Sequence, residues 1–243
     1  MERAEFMRLC AENFNKNGIS VFATENITSK LFDLCEIFLQ TNKIMNLTAI
    51  RDERLCISRH FADCLLTASL FPFGTNVLDV GSGGGMPTLP LAIARPDLKI
   101  TALDATAKKT EYIKKTAQTL GLSNVDTVTG RAEELAHTNL RESFDCVTAR
   151  AVAQTNVLIE WCAPFVKVGG LFIALKGKQG GEEAKSAVNA AKKLGCSLTL
   201  NEPGKLYDLN GTVSDRHTLV YKKISSTDGI FPRKNAQIVK NPL

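Results

Sequence analysis

The sequence predicts an α/β fold: a seven-stranded, mostly parallel sheet covered by helices on both faces, with an N-terminal helical extension. Three observations point to it. Seven short apolar, strand-like runs follow one another between residues 77 and 222. Amphipathic stretches with helical spacing separate most of them, and that alternation builds a parallel sheet between two helical layers. The first run, Val77–Val80, passes straight into Gly81-Ser82-Gly83-Gly84-Gly85, a turn of the kind that joins the first strand of a doubly wound sheet to its helix.

Up to about residue 70 the pattern is helical. Ile27, Leu31, Leu34, Cys35 and Phe38 recur at steps of three and four, which places them on one helix face. A further helix is expected over Glu53 to Leu70, stopped by Phe71-Pro72-Phe73-Gly74. Residues 1–70 are thus expected to form a helical extension packed on the core, and residues 71–243 an α/β domain with a basic C-terminal tail. Strand-like runs in that domain are Val77–Val80, Ile100–Leu103, Val125–Thr129, Phe144–Thr148, Leu171–Leu175, Ser197–Leu200 and Thr218–Lys222. Helical spacing marks Lys109–Leu120, Thr155–Val166 and Glu182–Leu194. Asn201 to His217 carries no helical pattern, so the last two strands are expected to pair as an antiparallel hairpin rather than through a crossover.

Composition narrows the class. Of the 243 residues 44% are hydrophobic and 23% charged, as in an ordinary globular protein. No apolar run approaches the roughly 20 residues of a membrane span, and Met1 to Gly18 is too polar for a signal peptide. The seven cysteines are odd in number, form no C-x-x-C pair and sit on apolar segments, so they read as small buried hydrophobes. With three scattered histidines they offer no zinc spacing; no metal is expected, and the compartment is expected to be the reducing cytoplasm. The net charge of +5 is unevenly spread. Residues 1–70 carry 8 basic and 9 acidic side chains, whereas residues 205–243 carry 7 and 3. Lys108, Lys109, Lys114 and Lys115 add a basic cluster. Such runs are ordinarily solvated faces; a nucleic-acid partner is the sharper reading.

The glycine turn carries the chemistry. Its glycines admit positive φ and let a ligand approach the main chain without a Cβ in the way. Asp104, nineteen residues after Gly85, closes the second strand-like run, where a carboxylate can accept both hydroxyls of a ribose. The dinucleotide pattern G-x-G-x-x-G would need glycine where Met86 stands, or, one frame on, where Thr88 stands. A pyrophosphate wants a bare helix N-terminus, yet the next turn begins Met86-Pro87, and proline lacks the N–H. The phosphate loop G-x-x-x-x-G-K-[ST] is absent from the sequence. Asp79-x-Gly81-x-Gly83-x-Gly85 instead resembles the first motif of S-adenosylmethionine-dependent methyltransferases. An ordinary strand–turn–helix corner would explain the glycines alone, but not the glycines together with Asp104.

In such a sheet the ligand lies at the carboxyl ends of the strands, which selects further candidates. After the third strand, in Gly130-Arg131-Ala132-Glu133, an amide and a carboxylate are placed to hold an adenine ring and its exocyclic amine. After the fourth, in Thr148-Ala149-Arg150-Ala151, the Arg150 guanidinium is expected beside the cofactor, to pair with a carboxylate or with RNA. Its plainer reading is a surface ion pair at a strand end.

At this point the chain resembles one family over almost its whole length: the bacterial small-subunit rRNA guanine-N7 methyltransferases of the glucose-inhibited division protein B type. The resemblance runs through Asn46-Leu47-Thr48-Ala49-Ile50, Arg59-His60-Phe61 with Asp63-Cys64-Leu65, Leu78 to Pro87 and Leu89-Pro90-Leu91-Ala92-Ile93. It continues through Asn124-Val125, Arg131-Ala132-Glu133-Glu134, Phe144-Asp145 with Arg150-Ala151, Ala174-Leu175-Lys176-Gly177 and Phe231-Pro232-Arg233-Lys234. Thr88 departs from the family's usual glycine, Ala105 from its serine, and Ala236 and Ile238 from its small residue and proline. The resemblance implies a Rossmann-like class I S-adenosylmethionine-dependent methyltransferase fold. It implies that S-adenosyl-L-methionine is held by Gly81, Met86, Asp104, Ala105, Thr106, Ala132, Glu133 and Arg150. The implied reaction is methylation of N7 of a guanosine in the 530 loop (guanine 527) of 16S rRNA, in the small ribosomal subunit.

Guanine N7 carries a lone pair and no proton, so its attack on a sulfonium methyl needs no general base, and the sequence shows no poised acid–base pair. No residue is assigned as catalytic. N7 faces the deep groove of A-form RNA, which side chains cannot enter, so the target base is expected in a loop or turned out of the stack. Phosphate contacts are expected from the tail and from exposed lysines: Lys176 and Lys178, Arg216, Arg233 and Lys234. The chain is expected to act as a monomer, with no membrane. Two other classes fit the same sheet. A nicotinamide-dependent reductase would need a third glycine or a Tyr-x-x-x-Lys relay, and neither is found. A non-catalytic RNA-binding module would keep the fold and bind no donor.

Overall fold

The computed structural model describes residues 1–150 and 153–243; Ala151, part of one motif above, lies outside them. Seven strands form one sheet: β1 (Asn76–Val80), β2 (Lys99–Asp104), β3 (Val125–Thr129), β4 (Phe144–Arg150), β5 (Val166–Lys176), β6 (Cys196–Tyr207) and β7 (Val213–Lys223), in the order β3-β2-β1-β4-β5-β7-β6. β1 to β5 run parallel, and β7 lies antiparallel between β5 and β6. Each expected strand is present. β6 and β7 are longer than their apolar runs, because their far halves pair with each other (Gly204 with Arg216, Tyr207 with Val213) beyond the body of the sheet.

The N-terminal helices α1 (Arg3–Lys16) and α2 (Glu25–Met45) pack on one face. Thr24 caps α2 through its side chain, and Leu31, Leu34, Cys35 and Phe38 all turn inward. One hydrophobic cluster runs from Phe6, Leu31, Phe38 and Phe61 through Leu89 and Ile113 to Val77 and Ile100 of the sheet. A second, with Leu158, Phe165, Phe172 and Tyr221, fills the opposite face. All seven cysteines are free and buried.

Three expected helices differ in detail. Glu53 to Leu70 is not one regular helix: Glu53–Leu55 and Asp63–Leu65 are α-helical, Cys56–Ala62 between them is wound wide, and Ala68–Leu70 is a tight turn. Wide turns of this sort gather at functional sites, and this one contains Arg59-His60-Phe61. The helix expected to reach Val166 stops at Cys162, where Pro164 sits in the tight turn Ala163–Phe165 that leads into β5. Glu182–Leu194 is two helices, Gly180–Ser186 and Val188–Lys193, broken at Ala187.

Candidate functional site

The glycine turn is squeezed from two sides. Backbone N–H groups of Gly81 and Ser82 donate to the Leu103 carbonyl at 2.8 and 3.0 Å, tying the turn to β2. A Cβ on Gly85, where φ is +81°, would lie 2.6 Å from Leu89 Cδ1, and one on Gly84 would lie 2.9 Å from the Phe38 ring. At Gly85 the left-handed φ strains any larger residue, and a side chain at either position would displace the Leu89 or Phe38 side chain packed on the turn. The helix after the turn, Thr88–Ala94, begins only after Pro87, two residues later than the sequence suggests.

Asp104 closes the turn. Its Oδ2 accepts from Gly83 N at 3.0 Å and its Oδ1 from Thr106 N at 2.9 Å, while Lys109 Nζ stands 3.9 Å from Oδ2. An ionised carboxylate accepts about four hydrogen bonds, so two acceptor positions remain. Ala105 and Thr106 follow at the exposed rim, and Met86 is buried. Gly130 N donates to the Asp104 carbonyl at 3.1 Å, bringing the end of β3 alongside. The buried Ala132 starts the short helix Ala132–Leu135, and Glu133 Oε1 lies 3.9 Å from Arg131 Nη1. Gly81, Asp104, Ala132 and Arg150 therefore stand at the carboxyl ends of four adjacent parallel strands.

Behind the turn lies a network that sequence reasoning did not assemble. Asp79, on β1, is fully buried; its Oδ2 accepts from Thr88 Oγ1 at 2.7 Å and its Oδ1 has no partner. Burial, with a smaller contribution from Asp104, pushes its pKa up to about 6 against the pull of Thr88 and Arg150. Thr88, a departure from the family pattern, is thereby accounted for: its hydroxyl satisfies a buried carboxylate. Arg150 does not point outward. Its Nη1 donates to Asp63 Oδ2 at 3.0 Å and to the Arg59 carbonyl at 3.3 Å, and its Nη2 meets His60 Nδ1 at 3.2 Å. A guanidinium only donates, so Nδ1 is the acceptor, and the ring proton sits on Nε2, 3.2 Å from Thr48 Oγ1. Burial and the Arg150 charge lower the His60 pKa to about 3, which keeps the ring neutral. Asp63 Oδ1 takes Arg216 Nε at 2.5 Å. Asn42, fully buried, holds the loop above by bonding Thr48 at N and O and Ile50 at O.

The basic candidates divide. Lys176, expected exposed, is only 7% exposed; its Nζ is taken by Glu183 Oε2 at 2.6 Å and the Ala153 carbonyl at 2.5 Å. Glu183 is on the helix Gly180–Ser186, which follows β5 and packs against β6, β7 and the helix Thr155–Cys162; the sequence announces the helix but not this ion pair. Arg233 is an anchor: its Nε and Nη2 grip Glu160, whose side chain is wholly buried, at 2.9 and 2.7 Å. Lys234 and Lys178 are exposed. Among the described residues no group of His, Cys, Asp and Glu is arranged to hold a metal. Among the described residues no helix is long and apolar enough to cross a membrane.

The family model described as rRNA small subunit methyltransferase G matches residues 27–202. The chain belongs to this family. Members similar to it are the ribosomal RNA small subunit methyltransferases G of Brevibacillus brevis, 38% identical over 96% of this chain and 97% of that one, and of Alkaliphilus metalliredigens, 41% identical over 90% and 92%. Among solved structures, M. jannaschii TYW2 in complex with AdoMet shares the fold with TM-score 0.52, at 20% identity over 65% of this chain and 73% of that one. The precorrin-6y C5,15-methyltransferase of Geobacter metallireducens shares it with TM-score 0.51, at 14% identity over 74% and 91%. The sheet of this rRNA small subunit methyltransferase G family member is thus the class I S-adenosylmethionine-dependent methyltransferase fold.

Proposed function

We propose that the protein transfers a methyl group from S-adenosyl-L-methionine to N7 of a guanosine in the 530 loop (guanine 527) of 16S rRNA, acting as a monomer in the cytoplasm. The observation that carries the reading is Asp104, held against the glycine turn by two backbone amides with acceptor positions to spare, in a chain of the rRNA small subunit methyltransferase G family. The buried, unpaired Asp79 Oδ1 adds to the fit, since the donor carries an ammonium group and an orphaned buried carboxylate oxygen asks for one.

In this reading Asp104 accepts the ribose hydroxyls, Ala105 and Thr106 line the rim, and the amide of Ala132 with Glu133 holds the adenine. Gly81 and Met86 flank the donor's other half. The donor supplies an activated methyl on a sulfonium. The guanine N7 lone pair forms the new N–C bond as the C–S bond breaks, and no proton has to leave. The titratable groups agree with that: His60, with its pKa lowered to about 3, is a poor proton acceptor, burial raises the Cys64 and Cys162 thiols, and Asp79, pushed up to about 6, is buried behind the turn. The work left to the protein is alignment, worth about 7–11 kcal/mol in favourable cases.

Incubation with labelled S-adenosylmethionine and small-subunit rRNA is expected to label one guanosine, at N7. Mild reduction and aniline then cut the RNA at that nucleotide, and a fully paired duplex of the same sequence is a poor substrate. Label on an exocyclic nitrogen, a ribose or a protein, with no aniline-sensitive site, refutes the assignment.

A further inference from the structure

The β6–β7 hairpin leaves the sheet on the side of the proposed donor site. His217 pairs with Lys176, the last residue of β5, so Val213–Arg216 and their partners Gly204–Tyr207 stand beyond the carboxyl edge of the parallel strands. An isolated two-stranded ribbon is marginally stable in water, yet this one is fastened to the N-terminal helices at several points. Asn13 and Asn17 donate to the Tyr207 carbonyl at 2.8 and 2.9 Å, and Tyr207 N donates to Asn17 Oδ1 at 2.9 Å. Arg59 grips Asp208 at 3.0 Å, and Leu209 N donates to Ser58 Oγ at 3.1 Å. Two glycines let the other wall approach: a Cβ on Gly180 would lie 2.3 Å from His217 Cβ, and one on Gly181 3.2 Å from its Nε2.

Where the hairpin faces the segment just after β5 lies an open cleft of about 540 Å³ lined by Lys178, Lys205, Tyr207, Asp215 and Arg216 with their neighbours, a volume in the range of small-ligand sites. Lys178 and Lys205 are exposed, and among the described residues neither has a carboxylate within ion-pair distance, whereas Arg216 is engaged by Asp63. Lys16 Nζ stands 5.6 Å from the centroid of the half-buried Tyr207 ring. Free ammonium groups beside an aromatic ring on a braced backbone match single-stranded nucleic acid: cations track phosphates, and a ring offers a stacking face to any base.

We propose that this cleft seats the single-stranded RNA next to the target nucleotide, with Lys178 and Lys205 on its phosphates and Tyr207 against a base. Arg216 is the hinge between this surface and the Asp63–Arg150 network, so the strand enters along the hairpin and ends at the row of strand termini. The inference rests on the function proposed above.

The test is steady-state methylation of small-subunit RNA by wild type, Lys178→Gln/Lys205→Gln, Tyr207→Ala and Tyr207→Phe, with donor affinity measured alongside. The double lysine variant is expected to raise KM for RNA with kcat and donor affinity unchanged. It also flattens the log–log salt dependence of RNA binding by about 1.4, at roughly 0.7 per single-strand phosphate contact. Tyr207→Ala is expected to raise KM roughly tenfold and Tyr207→Phe to restore it, as stacking requires. Active wild type with unchanged KM and salt slope in the lysine variant overturns the cleft alone. A wild type that transfers nothing to the RNA overturns the function reading and the cleft with it.

Discussion

Asp63 holds Arg150 across the boundary between the N-terminal helical layer and the parallel sheet, Oδ2 to Nη1 at 3.0 Å, and both side chains are largely buried. The same carboxylate takes Arg216 on its other oxygen. One acid thus fixes the last residue of β4 and the root of the β6–β7 hairpin. The wide turn at Cys56–Ala62 places the Arg59 carbonyl and the His60 ring on the same guanidinium.

Removing that acid leaves two cations facing each other in a partly dry site. Breaking a buried pair from one side costs about 3–5 kcal/mol. Asp63→Ala is expected to lose stability of that order in a urea melt, and Asp63→Asn, which keeps one acceptor, to lose less. If Asp63→Ala melts within about 0.5 kcal/mol of wild type, the change resembles an ordinary surface substitution and the network holds nothing together.

Asp104→Ala is expected to weaken donor binding. Hydrogen bonds to a charged group are worth about 1.5–3 kcal/mol each, so losing one or two ribose contacts lowers affinity at least roughly tenfold. The variant also frees the Gly83 and Thr106 amides; Asp104→Asn, which can still accept from one of them, falls between. Titration calorimetry decides, and affinity within twofold of wild type removes Asp104 from the ribose.

Asp79 gives a pH prediction. Its pKa rises from 3.8 to about 6 on folding, so between those values the folded state binds more protons than the unfolded one, and stability contributed by this group increases as pH falls. Above pH 6 the buried ionised form costs on the order of 3 kcal/mol, at about 1.4 kcal/mol per pH unit. Asp79→Asn is therefore expected to be more stable than wild type at pH 7.5, with the gap closing as pH falls through 6 towards 4, and to bind donor less tightly. Denaturant melts of both proteins at the two pH values check it; a constant gap means Asp79 does not titrate there.

How much of this was written in the chain depends on the range of the interaction. The strands follow from local runs such as Val77–Val80, and the hairpin from the lack of helical spacing between Asn201 and His217. The turn and Asp104 follow from motif and spacing. What stayed hidden is pairing between distant residues. Lys176 reads as a free cation until the helix after β5 brings Glu183 back over it. Asp79 and Thr88 lie nine apart on different elements, and nothing local says that one hydroxyl serves one carboxylate. Arg150 sits in a plausible place for a ligand contact, but its partners Asp63 and His60 come from the other layer. Arg233 and Glu160 are 73 residues apart, so the charge of the tail was visible and its use was not.

That last pair separates two roles within the tail. Arg233 covers Glu160, whose carboxylate is wholly buried and also accepts from Arg233 N at 2.9 Å, while Lys234 beside it is exposed. Further contacts pin the same stretch: Arg141 donates to the Phe231 carbonyl at 2.8 Å, and His137 meets the Pro232 carbonyl at 2.9 Å. Deleting Phe231 to Leu243 would therefore unseat structure as well as charge, and single substitutions are the cleaner probe. Arg233→Ala strands a buried charge and is expected to cost about 3–5 kcal/mol, with the salt dependence of RNA binding unchanged. Lys234→Gln is expected to leave the melt within about 0.5 kcal/mol of wild type, and to lower the salt slope by roughly 0.7 if its ammonium meets a phosphate. A stable Arg233→Ala protein with a flattened salt slope would reverse the two assignments and return Arg233 to the RNA.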